Sequence, residues 1–145
     1  MLYGTDRRQL REIIFKAWRK QTTGEPLEGV ESLIVAVARR HPEYHAVLDN
    51  EDRHADRDYD PNSDERNPFL HLSFHLAIEE QLTVNQPPGV REHYQRLCLL
   101  LGDEHAAQHQ AMDCLSEMLW QAGHHGTPLD QSVFLDCLQQ AVNRA

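Results

Sequence analysis

Apolar residues recur at helical spacing along almost the whole chain, and nowhere do they alternate with the period of two that a half-buried strand needs. Leu10, Ile13, Ile14, Ala17 and Trp18 follow Thr5 and predict a helix over about 6–20. Thr23-Gly24-Glu25-Pro26 breaks it, and Leu27, Val30, Leu33, Ile34, Val37 and Ala38 predict a second over about 27–40. Pro42 suits a first helical turn, so residues 41–48 predict a short third helix with His41 at its cap. Asn67-Pro68 opens a fourth over about 68–83, with Leu70, Phe74, Ala77, Ile78 and Leu82 on one face. Val90 to Leu101 makes a fifth, stopped by Gly102. Asp103 caps a sixth that ends at Gly123 to Gly126, and Thr127-Pro128 opens a seventh carrying Leu129, Val133, Phe134, Cys137, Leu138 and Val142. The economical architecture is an all-α bundle of five to seven helices.

At 145 residues the expectation is a single helical domain spanning 1–145. Residues 50–66, NEDRHADRDYDPNSDER, have no apolar period and predict an exposed acidic loop. Asp56, Asp58 and Asp60 alternate like the start of a calcium loop, but Pro61 stands where Gly is needed and Asn67 where the bidentate Glu is needed, which excludes an EF-hand. The longest apolar run, Leu33 to Ala38, falls far short of the roughly 20 residues that span a bilayer, so no membrane is expected. No apolar leader stands at the N-terminus, and Cys98, Cys114 and Cys137 form no CxxC pair. They read as small, reduced core residues, and the expected location is cytoplasmic.

The formal charge of -9 argues against nucleic acid as a partner, because neutralising phosphates needs a clustered positive surface. Positive charge is concentrated in helix one, where Arg7, Arg8, Arg11, Lys16, Arg19 and Lys20 outnumber Asp6 and Glu12. The plain reading is a solvated basic face beside an acidic body, not an RNA contact. Leftover apolar surface on a small bundle makes a homodimer or a protein partner an expectation, with no interface assigned.

Six of the ten histidines form three H-x3-H pairs: His41/His45, His71/His75 and His105/His109. Counting matches, random placement would give roughly 0.6 such pairs. Side chains four apart share one helix face, so two imidazoles can converge on one ion at about 2.0 to 2.1 Å. His71 and His75 border the stripe of Phe74, Ile78 and Leu82, and Glu79 continues that line one turn on. His105 and His109 align with Met112 and Leu119. These five are the candidate ligands, with His45 in reserve because Pro42 interrupts its pair. His54, His93, His124 and His125 read as solvent-exposed. Imidazole and carboxylate donors suit zinc or iron, whereas calcium and magnesium want an oxygen cage.

No enzyme template is present. Neither HPEYH nor HLSFH has the Glu of HExxH, and there is no GxSxG, Walker A or GxGxxG motif. The order lone His, His75-x3-Glu79, His105-x3-His109 is similar to part of the hemerythrin pattern. It lacks the terminal His-x4-Asp on one helix, since Gly126 and Pro128 lie between His125 and Asp130. A second resemblance covers nearly the whole chain. YGTDRRQLREIIFKAWRK, HPEYHAVL, NPFLHLSFHLAIEEQ, PPGVREHYQRL and GDEHAAQH resemble the proteobacterial family numbered 1841 among domains of unknown function. That resemblance implies a cytoplasmic bacterial protein of this length and no activity. The functional expectation is transition-metal binding through paired histidines, and the alternative is a metal-free helical interaction module. An enzyme would need an open metal position and a base, for which Glu79 is the candidate.

Overall fold

The computed structural model describes residues 7–59 and 67–145, and among them every regular element is helical. In order these are α1 (Arg7–Thr23), α2 (Val30–Arg39), a 3₁₀ turn (Pro42–Tyr44), α3 (His45–Leu48), α4 (Glu51–His54), α5 (Pro68–Val84), α6 (Val90–Leu101), α7 (Glu104–His125) and α8 (Gln131–Arg144). The chain divides into two compact units, Met1–Leu76 and Ala77–Ala145, and the boundary falls inside α5.

In the first unit α1 packs on α2 and α3, and the buried side chains include Phe15, Trp18, Ile34, Val37, Leu48, Phe69 and Leu72. Gly29, with φ of 57°, starts α2 three residues later than the apolar stripe suggested. Leu27 still packs on the core from outside the helix. Three cations of α1 pair with acidic residues downstream. Arg7 pairs with Asp58 at 2.7 Å, Arg19 with Glu51, and Lys20 with Glu31 at 2.9 Å. Arg11 is 2% exposed, donates to the carbonyls of Ala55 and Arg57 at 3.1 and 2.7 Å, and lies 4.5 Å over the Phe69 ring. It therefore holds the chain leaving α4 instead of standing in solvent. His54, expected to be exposed, is 7% exposed for the same reason, because α4 and its outgoing strand of carbonyls are drawn onto α1. The rest of the acidic loop, 60–66, lies outside the described residues.

The Lys20–Glu31 pair ties α1 to the start of α2. The Lys20 ammonium holds the Glu31 carboxyl below its ordinary value of 4.5, and the Glu28 N–H at 2.8 Å helps. Glu31 in turn raises Lys20 above 10.5. A depressed carboxyl contributes stability above its unfolded pKa and loses it as pH falls through the folded value; the raised ammonium loses its share as pH rises through its own. Glu31→Gln is therefore expected to destabilise the protein at pH 7, with the deficit shrinking below about pH 4.5. Urea unfolding of both proteins at pH 7 and pH 3 measures it, and an equal deficit at both would contradict the pair's role.

In the second unit α6, α7 and α8 pack on one another around Leu97, Ala107, Ala111, Leu115, Met118, Phe134 and Leu138. Asp103 accepts the His105 N–H at 3.0 Å and caps α7, while Gly102, at φ 67°, closes α6. Arg91 donates to the carbonyls of Leu82 and Thr83 and so satisfies the end of α5. The last helix begins at Gln131, not at Pro128. Asp130 caps it by accepting from both the backbone and hydroxyl of Ser132, and Leu129 is left outside the helix, 41% exposed. The cysteines differ from the expectation as well. Cys114 on α7 and Cys137 on α8 form a disulfide with their Cα atoms 5.5 Å apart, leaving Cys98 as the free thiol.

Candidate metal centre

Three histidines of the first unit, His41, His71 and His75, gather around the start of α5. Asn67 accepts the N–H groups of Phe69 and Leu70, so the cap and Pro68 set the register of α5. That register places His71 and His75 on one face, with Nε2 atoms 3.1 Å apart. His75 is 1% exposed and His71 half-buried. His41 joins them: its ring centroid lies 5.1 Å from His71 and 4.6 Å from His75, and it stacks on Tyr44. At 2% exposure, His41 is held by Nδ1–H donating to the Val37 carbonyl at 2.8 Å. A carbonyl oxygen only accepts, so Nδ1 carries a proton.

His45 goes elsewhere. Its Nε2–H donates to the Ala38 carbonyl at 2.9 Å and its ring lies 4.7 Å from that of Trp18. The H-x3-H rule presumes one α-helix, but Pro42 to Tyr44 is a 3₁₀ turn with about three residues per turn. His41 and His45 therefore leave the chain in different directions. His41, not the reserve ligand His45, is grouped with His71 and His75, and the signal for it was the order of a lone His ahead of the α5 pair.

In the second unit α7 carries His105 and His109 four residues apart, with ring centroids 4.2 Å from one another. Between them in sequence lies Gln108, 1% exposed, whose Nε2 donates to Glu79 Oε1 at 2.8 Å. Gln108 sits on the apolar stripe of Ala107, Ala111 and Met112. A polar residue there needs a buried partner, and that was the available signal for its role. Tyr94 extends this polar layer. It donates to the Glu104 carbonyl at 3.4 Å, and burial, then Cys98, pushes its phenol well above the ordinary tyrosine range. His93 is half-buried on α6, and His124 and His125 are exposed at the end of α7.

The donor set is thus three clustered imidazoles in one unit, and two imidazoles with a glutamine-held carboxylate in the other. Both belong to the chemistry of borderline transition metals. Among the described residues no helix is long and apolar enough to cross a membrane. The model of a domain of unknown function (DUF1841) matches residues 6–140. No curated protein and no solved structure matches the chain.

Proposed function

We propose that this chain, which belongs to the DUF1841 family, binds a transition metal of the zinc or iron class through His41, His71 and His75 of its first unit. The observation that carries the reading is the His41 ring. A buried imidazole whose Nδ1–H donates to a backbone carbonyl has the outer-shell arrangement of a metal-ligating histidine. Continuity of α5 supports the rest. His71 and His75 lie one turn apart on that helix, and the rings of both lie against that of His41. Three imidazoles leave one position of a tetrahedral ion open.

Tag-free protein loaded with zinc or iron, desalted and analysed for metal per chain, tests this. One equivalent is expected for the wild type, His45→Ala and His93→Ala, and little for His41→Ala or His75→Ala. No uptake by the wild type, or an unchanged content in the His41→Ala/His75→Ala double variant, would sink the proposal and leave a metal-free interaction module as the better reading.

A further inference from the structure

The end of α6 exposes three consecutive leucines: Leu99 at 83%, Leu100 at 52% and Leu101 at 39%. Runs of exposed apolar side chains on a helix are a liability unless something covers them. Leu99 forms one wall of an open groove of about 620 Å³, whose other lining residues are Leu82, Tyr94 and Cys98 with the polar Arg91, Gln95 and Glu104. A projecting leucine next to an apolar groove is a knob beside its own hole, and a two-fold axis can insert each knob into the other copy's hole.

We infer that this face of α6 is the interface of a homodimer, with Leu99 of each copy seated in the groove of the other. Charge supports a second copy of this chain as the occupant. Arg91 and Glu104 fall on either side of Leu99 along the groove, the former two helical turns before it and the latter beyond the Gly102 turn. Antiparallel apposition of two α6 helices brings the cationic end of one groove to the anionic end of the other. The chain as a whole carries -9, yet Arg91, Glu92 and Arg96 give α6 a local net charge of only +1, so like-charge repulsion between two copies is small at this face. The inference uses residues of the second unit alone and does not depend on metal binding.

Light scattering behind size exclusion tests it. The wild type is expected at twice the chain mass of 16.8 kDa at high micromolar concentration, and Leu99→Glu at the chain mass. Because Leu99 is 83% exposed, this substitution leaves the monomer folded, which circular dichroism checks. Burying an unpaired carboxylate in the partner's groove is expected to raise the dissociation constant about a hundredfold, and Glu104→Gln up to about fivefold. Maleimide labelling of Cys98 locates the interface: it is expected to slow with rising concentration in the wild type and to stay constant in Leu99→Glu. A wild type that is monomeric throughout, a Leu99→Glu variant that still dimerises, or concentration-independent labelling in a dimeric wild type would each overturn the inference.

Discussion

Zinc at a thousandfold excess over its dissociation constant is expected to raise the unfolding free energy by about 4 kcal/mol, and His41→Ala to remove most of that gain. A ligand that binds only the folded chain stabilises it by mass action, and folding is what would bring together three donors from α5 and the residue before the 3₁₀ turn. Ten histidines give the unfolded chain some affinity too, so the measured gain falls below the ideal figure. His41 is the informative position because neighbouring His45 is the matched control: its Nε2–H is committed to the Ala38 carbonyl, and its replacement leaves the metal-dependent gain intact. Urea unfolding with and without zinc, reversed by a chelator, reads both. A zinc-dependent gain that survives in His41→Ala/His75→Ala would exclude these ligands.

What the sequence made legible follows from how local each feature is. The starts of α5 and α7 were readable because Asn67-Pro68 and Asp103 satisfy orphan N–H groups within the next two or three residues. The start of α8 was misread because two caps compete within four residues, and the one with two bonds, Asp130 to Ser132, prevails over Thr127. The His71/His75 pair was visible because one α-helix carries both. His41 was attached to the wrong partner because local spacing cannot tell a 3₁₀ turn from an α-helix, and its grouping with His75 arises across 34 positions of chain. Arg11 shows the same limit. Composition placed it on a solvated basic face, and only the path of the chain after α4 turns it into a buried donor to distant carbonyls.

Reduction of Cys114–Cys137 is expected to cost about 3 kcal/mol, because the bond closes a loop across 23 positions and removes that much chain entropy from the unfolded state. For a chain of this length the loss corresponds to a melting shift of roughly 10 °C. Spacing alone could not pair these cysteines. Their approach depends on α7 and α8 turning back on one another through the segment that ends at Asp130, with Phe134 and Leu138 buried on α8 and Leu115 and Met118 on α7. Cys114 is 1% exposed and Cys137 half-buried, so the bond lies at the edge of the unit's core, where reduced thiols would still pack as small apolar groups. The fold is therefore expected to survive reduction with its helices intact. Thermal unfolding with and without reductant, beside the Cys114→Ala/Cys137→Ala variant, measures the contribution. Cys98→Ser provides the control, since that thiol takes no part in the bond and its replacement should leave the reductant-dependent shift unchanged. A wild type whose melting temperature is indifferent to reductant would show that the cross-link contributes nothing to stability, and that helix packing alone holds α7 against α8.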